Sequence, residues 1–448
     1  MPQGSTRGSS TCMAALLMVF AFAALPLRSA LAQDEGPPAP VDTTAVDPTS
    51  EILTNNIAGE FTPSQGFSII RTSKGSLNIS GYALFRYINQ LPAEQNFTDH
   101  LGRTRKVQSR NDLNSHRHMV WLSGFMGVPQ LRYTITVWSL ATTQQTLVFS
   151  HLNYMVNKSL IFGAGITPNL TARSMQGSWP YWAATDRQMS EEFFRGGFSS
   201  GFYITGEPLH RFNYTASVNT NLSQLGVTAA NDSRDLAYSA SVAWRPTTGE
   251  FGPRGGLADL ENHQQVATRF GASMGHAREY RAAPLGQPPN ETQLKISDGL
   301  LLFEDGALAD GITVINADYD EFAVDAGMKY RGFSFQGEAY YRQLSNFNAT
   351  GFLAVNRLID RGLMAQVSHM VVPRKLNLYL TTGYLWDEFK RNPWEISGGA
   401  SLFPFQSRLW RLNLHIINVD KSPTSSTFGY YASGQTGTTV SLATDILF

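Results

Sequence analysis

Two histidines are the first residues whose spacing could support chemistry. His116 and His118 are two positions apart, so on a β-strand they would share a face and could begin a metal site. No further ligand completes such a site nearby in the sequence, which favours polar histidines at the rim or in the lumen of a β-structure. There is also no Walker-type phosphate loop and no nucleophile elbow. We therefore expect no catalytic residues, no metal and no cofactor.

The amino-terminal residues have the pattern of a secretory signal. Arg7 supplies a weak basic region, residues 13–25 are apolar, and Ala30-Leu31-Ala32 offers a small-x-small cleavage site. This pattern predicts a signal peptide over residues 1–32. The single cysteine, Cys12, would leave with the signal, which excludes thiolate catalysis and cysteine metal sites in the mature chain.

The charge of the chain is balanced, with 35 basic and 35 acidic residues. This balance argues against nucleic-acid binding and provides no global field that would attract anions. Beyond the signal there is no apolar run of about 20 residues, so no helix is expected to cross a bilayer. If the protein lies in a membrane, it must cross as a β-barrel.

Apolar and polar side chains alternate in segments of about ten residues, the period that directs successive side chains to opposite faces of a strand. In residues 236–246, for example, Tyr238, Val242 and Trp244 share one face, and Ser239 and Ser241 share the other. The fold class predicted is all-β, a transmembrane antiparallel β-barrel of 16 strands. The strands are placed near 76–90, 116–126, 131–140, 146–156, 158–166, 198–206, 209–222, 236–246, 265–276, 318–330, 333–344, 361–371, 374–386, 394–404, 408–418 and 438–448.

A soluble β-protein can alternate in the same way, and the ends of the strands separate the two alternatives. Aromatic residues cluster there, and their rings could lie at the level of the lipid headgroups. These residues are Trp244, Trp386, Trp394, Trp410 and the pairs Tyr340-Tyr341 and Tyr430-Tyr431. The clusters favour a barrel in outer-membrane lipid over a soluble sandwich or propeller.

The last predicted strand ends on an aromatic residue. Val440, Leu442, Thr444, Ile446 and Phe448 share one face. A terminal Phe at the end of such a strand resembles the signal read by the barrel-assembly machinery. We therefore expect Phe448 to engage that machinery in the outer membrane of a Gram-negative bacterium.

The chain divides into three parts. The signal is followed by a lead-in over residues 33–75, rich in Pro, Asp and Thr and expected in the periplasm, and then by the barrel over residues 76–448. Long loops are expected at 167–197, 247–262, 278–310 and 419–437, and long loops of such barrels face outside. The first is strongly aromatic, so we expect it to fold inward and narrow the pore. Its charged candidates are Arg173, Arg187, Glu191 and Arg195.

Basic side chains with inward parity are the candidates for lining a pore. They are Arg132, Arg211, Arg245, Arg269, Lys329, Arg342, Lys375 and Arg411, and the inward carboxylates are Glu321, Asp325, Glu338, Glu395 and Asp445. Cationic side chains lower the barrier for anions, whereas interspersed carboxylates cancel part of that field. The mixture favours weak selectivity or a modest anion preference. Each arginine could equally pair with a carboxylate of a neighbouring strand and stiffen the wall.

Three stretches resemble the phosphate-selective porin O and P family of outer-membrane porins. They are Phe61-Thr62-Pro63-Ser64-Gln65-Gly66-Phe67 with residues 75–82, His116–Phe125 with Leu131-Arg132-Tyr133, and Phe162-Gly163-Ala164-Gly165-Ile166-Thr167-Pro168. The resemblance implies a sixteen-stranded homotrimeric porin in which inward basic residues conduct anions. The dense arginine ladder and central lysine cluster of that family do not map onto this chain position by position.

The function expected is passive diffusion of small hydrophilic or anionic solutes, with a modest preference for anions such as phosphate. A sugar or organic-acid porin is the main alternative, because exposed aromatic rings in the pore loop could stack on sugar faces. An outer-membrane hydrolase with a Ser/His pair built from distant strands is the third.

Overall fold

The computed structural model describes residues 61–140, 145–222, 235–252, 254, 256–281, 285–286, 294–426 and 429–448. The predicted signal peptide and most of the predicted lead-in lie outside these residues. Within the described residues, no helix has the length and apolar character needed to cross a membrane.

The described residues form nineteen strands and one short α-helix, α1, at Met189–Phe194. The first strands are β1 Phe67–Thr72, β2 Gly75–Leu91, β3 Asn96–Thr98, β4 Thr104–Lys106, β5 Asn111–Met126, β6 Val128–Leu140, β7 Gln145–Asn157, β8 Leu160–Pro168, β9 Phe198–Leu209 and β10 Phe212–Asn219. The others are β11 Ala237–Trp244, β12 Ala267–Tyr280, β13 Val314–Tyr330, β14 Phe333–Ala349, β15 Arg357–Val372, β16 Leu376–Trp386, β17 Trp394–Leu402, β18 Trp410–Asp420 and β19 Gly437–Leu447.

Sixteen of the described strands close into one antiparallel barrel. From β5 to β19 each strand pairs with the next along the chain, and β2 pairs with β5 on one side and with β19 on the other. The sixteen-stranded prediction is confirmed. β1 forms a hairpin with β2, and β3 pairs with β4 in a separate small sheet.

The alternation of side chains along the strands gives the barrel an apolar outer face. In β11, Tyr238, Val242 and Trp244 are exposed, whereas Ser239 and Ser241 are buried. The same pattern holds for most of the long strands, from β12 to β19. An outer face of this kind suits hydrocarbon because its side chains are apolar, and the pairing of neighbouring strands engages the backbone polar groups of the wall.

Outward charges mark where the apolar band ends towards the long loops. On β12 and β13, His276 Nδ1 lies 2.8 Å from Asp320 Oδ1, and Arg278 donates to Asp318 at 2.5 Å. Below them the outward positions of β13 carry Phe322, Val324 and Met328, all exposed. Charged pairs avoid the hydrocarbon, so the bilayer boundary lies between these two groups of residues.

The aromatic residues of the strand ends divide between the two faces. Trp244 and Trp386 are exposed on the outside, as expected for rings at headgroup level. In contrast, Tyr340, Tyr430 and Tyr431 are buried inside the barrel, so the prediction for these three residues is wrong. Tyr340 has inward parity on β14, and the tyrosine pair belongs to a loop that folds over the interior.

One long segment lies at the end of the barrel that carries the short turns. We name residues 245–266, between β11 and β12, the turn-end segment. Its His263 carbonyl accepts the amide of Arg331 at 2.8 Å, and its Asp259 accepts the amide of Gly332 at 2.7 Å, both in the β13–β14 turn. The expectation that loop 247–262 faces the side of the long loops is therefore wrong. Its buried contacts inside the barrel explain its length.

Candidate functional site in the barrel interior

The inward loop, residues 169–197 between β8 and β9, crosses the barrel to the opposite wall. The amide of Met189 donates to Glu395 at 3.0 Å, and the Ser190 hydroxyl donates to the carbonyl of Leu363 at 3.1 Å. The Phe194 ring stacks on Tyr340 with centroids 4.8 Å apart. These partners lie on β14, β15 and β17, far around the barrel from the strands that carry the loop.

Aromatic burial explains why this sequence folds inward. Trp179, Trp182, Phe193 and Phe194 are all at most 4% exposed. Full burial of one Phe-sized side chain contributes roughly 1.5–3 kcal/mol. In water outside the barrel the same rings would lose this stabilisation, so the loop packs against the inner wall.

Arginines of the wall hold the backbone of the inward loop. Arg411 Nη1 donates to the carbonyls of Trp182 and Ala184 at 2.7 and 2.9 Å, and Arg408 donates to Pro180 at 3.0 and 3.1 Å. Both guanidinium groups also pair with Asp445 on β19. The last strand and the inward loop are thereby joined through two side chains.

A second arginine anchor lies at the far tip of the inward loop. Arg342 pairs with Asp360 of the neighbouring strand at 2.7 Å and donates to the Phe193 carbonyl at 3.3 Å. Its guanidinium carbon lies 4.1 Å from the centre of the Phe193 ring. Arg342 therefore has the pairing within the wall that was one of the two roles considered from the sequence, and it also contacts the loop.

The turn-end segment packs beneath the inward loop. The amide of Leu257 donates to Tyr181 at 2.9 Å, and Arg254 Nη1 donates to the Trp179 carbonyl at 2.8 Å. From the wall, Lys329 Nζ donates to the Phe251 carbonyl at 2.9 Å. Lys329 is consequently fully buried under this segment.

A histidine between two carboxylates stabilises the turn-end segment. His263 Nδ1 contacts Asp259, and its Nε2 lies 2.7 Å from Glu250. Hydrogen bonds with Asp259 and Glu250 raise the pKa of His263 to about 9. Asp259, Glu261 and His263 bring ligand atoms within 4.8 Å of one another, the arrangement of a possible metal site. Both ring nitrogens of His263 face carboxylates, so His263 and its partners Asp259 and Glu250 are accounted for as ion pairs.

Residues 61–63 of the predicted lead-in also lie inside the barrel. The Phe61 ring is fully buried, with its centroid 4.8 Å from those of Phe149 and Phe198. The carbonyls of Thr62 and Pro63 accept hydrogen bonds from Arg254 at 2.5 and 2.6 Å. The interior thus holds residues 61–63, the inward loop and the turn-end segment, together with Tyr430 and Tyr431 of the β18–β19 loop.

The two histidines singled out by spacing do not share a face. A β-bulge in β5 breaks the register with β2 between Arg117 and Ser115, and His116 is the extra residue. His116 points inward, where its Nε2 lies 2.7 Å from Arg86, while His118 packs against the outward ring of Phe85. Regular alternation is interrupted at the bulge. The two-residue spacing of His116 and His118 therefore does not place them on one face, as a shared metal site would require.

The predicted pore-lining residues fall into three groups. Arg269, Lys329, Arg342 and Arg411 are at most 5% exposed and are covered by the segments inside the barrel. Arg132 and Arg245 have inward parity near the turn end and are partly exposed. Arg211 and Lys375 lie outside the strands, in the β9–β10 and β15–β16 turns, where Arg211 donates to the carbonyls of Pro246 and Thr247. For all eight residues, a position along a conducting path stays a prediction.

The charged candidates of the inward loop are also engaged. The amide of Arg173 donates to Glu338 at 2.8 Å, Arg187 Nε donates to the Ser174 hydroxyl at 3.1 Å, and Arg195 pairs with Glu192 at 2.9 Å. Glu191 is buried, and this burial raises its pKa. The inward carboxylates Glu321, Asp325, Glu338, Glu395 and Asp445 are all buried as well.

Several arginines of the interior escaped the sequence analysis. Arg254 lies in the turn-end segment, where alternation does not apply. Arg408 lies in the β17–β18 turn, although the strand predicted at 408–418 included it. Arg86 and Arg117 do lie on strands, and inward parity would have identified Arg86 from residues 76–90. Arg117 shares inward parity with Met119 and Trp121 on β5, so alternation along residues 116–126 would have identified it as well.

No protein-family model matches the chain. No curated protein matches it either. Among solved structures, the outer-membrane expressed OmpT of Vibrio cholerae aligns with a TM-score of 0.50 and 11% identity over 85% of this chain and 100% of its own. The trimer form of in-vitro folded OmpT from the same organism gives 0.51 and 10% over 84% and 100%. An anion-selective porin from Comamonas acidovorans gives 0.49 and 13% over 84% and 100%. At these identities the likeness concerns the fold, and the chain has the fold of an outer-membrane β-barrel.

Proposed function

We propose that the protein is a porin of the Gram-negative outer membrane, through which small hydrophilic solutes diffuse passively with a modest preference for anions. The observation that carries the proposal is the inward loop, fixed across a closed barrel by Arg411 and Arg342. A loop held in this way reduces the cross-section of the barrel lumen. The proposal involves no turnover and no cofactor.

The distribution of charge inside the barrel supports the preference for anions. Three carboxylates each contact two arginines. Asp186 lies 3.2 and 3.9 Å from Arg86 and Arg117, Asp325 contacts Arg269 and lies 3.9 Å from Arg173, and Asp445 pairs with Arg408 and Arg411. The groups of Asp186 and Asp445 each carry a net positive charge, whereas Glu191 and Glu338 also act on Arg173 beside Asp325. The two positive groups lower the barrier for an anion more than for a cation. A place in the phosphate-selective porin O and P family would extend this preference to phosphate.

The alternative of a sugar porin has less support. Stacking on a sugar needs aromatic faces open to the lumen. The rings of Trp179, Trp182 and Phe194 are buried, with Trp179 against Tyr82 and Phe194 against Tyr340 of the wall. An organic-acid channel remains compatible with the anion preference, since its solutes are anions.

We also propose that the protein assembles as a homotrimer. An apolar groove of about 750 Å³ lies on the wall from β6 to β12, lined by Leu152, Phe162, Phe202, Val218 and Met274 among others. Contact between subunits would cover this groove, and one structural neighbour is described as a trimer form. A heat-modifiable trimer band on gels would support this assembly, and its absence from mildly extracted protein would count against it.

Phe448 is proposed to be the contact for the barrel-assembly machinery. Its amide and carbonyl exchange hydrogen bonds of 3.0 Å with Gly81, and its ring packs on Phe67 at 5.5 Å. The last residue thus completes the junction between β19 and β2.

Planar lipid bilayers test the proposed function. Purified protein should produce stepwise current increases of uniform size, because each inserted channel adds one conductance. Heat-modifiability on gels shows whether a preparation is folded. A folded preparation that gives no current steps would contradict the proposal.

A further inference from the structure

The outer wall of the barrel carries two arginines on β15. Arg357 and Arg361 have the same parity as Leu363 and Val367, and all four side chains are exposed on the face that meets lipid. Leu363 and Val367 continue the apolar band towards the turn end. The two arginines lie on the side of the long loops, so charge replaces apolar surface within one outward step of the strand.

Arg361 lies at the level expected for lipid headgroups. Its cross-strand partners are Trp386 on β16 and Tyr341 on β14. The Trp386 ring is exposed, and its centroid lies 4.6 Å from that of Tyr384. Outward aromatic rings of this kind mark the boundary between hydrocarbon and headgroups. A long cationic side chain beside them keeps its stem on the apolar surface and its guanidinium among the headgroups.

The two arginines of β15 lack the pairing seen elsewhere at this boundary. On β12 and β13 the outward Arg278 pairs with Asp318 at 2.5 Å. Among the described residues, the side chains of Arg357 and Arg361 have neither an ion pair nor a hydrogen bond. Their guanidinium groups are therefore available to a molecule outside the barrel.

Carboxylates near the two arginines do not balance their charge. Residues 333–393 are all described, and three of their four carboxylates, Asp360, Glu338 and Asp387, are buried. Glu388, in the β16–β17 loop, is exposed. Lys390 is exposed two residues later and offsets this charge. The outer face of β14 to β16 is thus positively charged at the end of the long loops.

Polar side chains of β14 lie beside the arginines. Tyr341 is opposite Arg361, Ser345 is opposite Arg357, and Gln343 lies between them. All three are outward and partly exposed. The Tyr341 hydroxyl donates to Gln343 at 3.3 Å, and the Gln343 amide donates to the Ser345 hydroxyl at 3.5 Å. We name these five residues the outer arginine patch.

We infer that the outer arginine patch binds the phosphate groups of lipopolysaccharide, the phosphorylated glycolipid of the outer leaflet. Long loops face outside, so the patch lies at that leaflet. Guanidinium groups bind phosphate through charge-assisted hydrogen bonds, and clusters of basic residues recognise anionic headgroups. The hydroxyl and amide groups of β14 can bind the sugars of the glycolipid. Its acyl chains would run along Leu363 and Val367.

The position of the patch around the barrel agrees with lipid binding. The apolar groove proposed for subunit contact lies on the wall from β6 to β12. Strands β14 to β16 therefore continue to face lipid in the proposed trimer. The inference concerns the outer wall and goes beyond the proposed function, since lipid binding does not require conduction through the lumen.

Binding of lipid A, the phosphorylated anchor of lipopolysaccharide, tests this inference. Microscale thermophoresis of the full-length barrel in non-ionic detergent measures the dissociation constant. Arg361→Gln should weaken binding about fivefold, and the double variant with Arg357→Gln about thirtyfold. The matched control Arg374→Gln removes an exposed arginine at the turn end of the same hairpin and should bind like the parent protein.

Two further probes separate the possible sources of binding. Lipid A without its phosphates should bind the parent much more weakly, and equal affinity would overturn the inference. Inorganic phosphate at the concentration of lipid A should not displace it; displacement would identify a site for free anions and also overturn the inference. Equal binding by the parent and by the double variant, both folded by heat-modifiability on gels, would be equally decisive against it.

Discussion

Arg411 and Asp445 form a bidentate ion pair inside the barrel, with nitrogen–oxygen distances of 3.0 and 2.6 Å. The pair joins β18 to β19, and the remaining nitrogen of Arg411 reaches the backbone of the inward loop. Closure of the barrel and placement of the loop thus depend on the same guanidinium. The consequence is that a change at Asp445 should affect stability and permeation together.

Replacement of Asp445 by Asn should destabilise the barrel. Arg411 and Arg408 would keep their buried charges without a carboxylate, a loss of about 3–5 kcal/mol for a buried pair. The temperature at which the folded band disappears on gels should fall. Asp420→Asn is the matched control, because the exposed Asp420–Lys421 pair at 3.6 Å contributes at most about 1 kcal/mol. An equal decrease in this temperature for the two variants would show that the buried Arg411–Asp445 pair stabilises the barrel no more than the Asp420–Lys421 pair does.

Substitution at Gly362 should push the inward loop away from the wall. A Cβ at this position would lie within 2.3 Å of the Phe194 ring, too close for ordinary contact. We expect Gly362→Ala to raise the single-channel conductance, because the inward loop would lose its contact with β15. In Gly337→Ala the added carbon would meet its nearest neighbour at 3.7 Å, so this control should conduct like the parent. An unchanged conductance in Gly362→Ala would argue that the loop does not limit flow.

An arginine in the apolar band should hinder folding into the membrane. Val324 is exposed on the outer face of β13, and Arg there should cost roughly 2–4 kcal/mol if the residue lies near the midplane. Asp320→Arg, four residues nearer the long loops, should cost only about 0–1 kcal/mol. Folding titrations into lipid vesicles measure both values. Similar free-energy costs for the two variants would mean that the apolar band covers another part of β13.

The turn-end segment should loosen at alkaline pH. The pKa of His263 is raised to about 9, above its ordinary value near 6.5, by hydrogen bonds with Asp259 and Glu250. A group whose pKa is raised on folding contributes its full stabilisation below about pH 6.5, and this contribution is lost as the pH rises through about 9. Limited proteolysis within residues 245–266 should therefore accelerate between pH 7 and 10. His263→Gln should be cleaved faster at pH 7 and respond less to pH; an identical pH response would exclude His263 as the cause.

The wall of the barrel could be predicted from the sequence, and most of its interior could not. Alternation reports which face of a strand meets lipid, and this is sufficient to locate all sixteen strands to within a few residues. It carries no information on what fills the lumen. The burial of Phe61 against Phe149 and the return of the turn-end segment into the barrel depend on contacts between residues remote in the sequence.

The failures have identifiable physical causes. At His116 a bulge inserts one residue and reverses the parity that placed both histidines on one face. The rings of Tyr430 and Tyr431 fold inward. Tyrosine is equally suited to the membrane interface, so the residue type alone does not distinguish the two positions. Arg269, Arg342 and Arg411 lie on regular strands and are buried inside the barrel. Their carboxylate partners became apparent only from the pairing of neighbouring strands.

The zero-current potential across a planar bilayer under a potassium chloride gradient tests the central claim most directly. A barrel in which Asp186, Asp325 and Asp445 each contact two arginines should give the sign of an anion-selective channel, with a magnitude well below that of an ideally selective one. A potential of cation-selective sign, measured on the parent protein, would contradict the account.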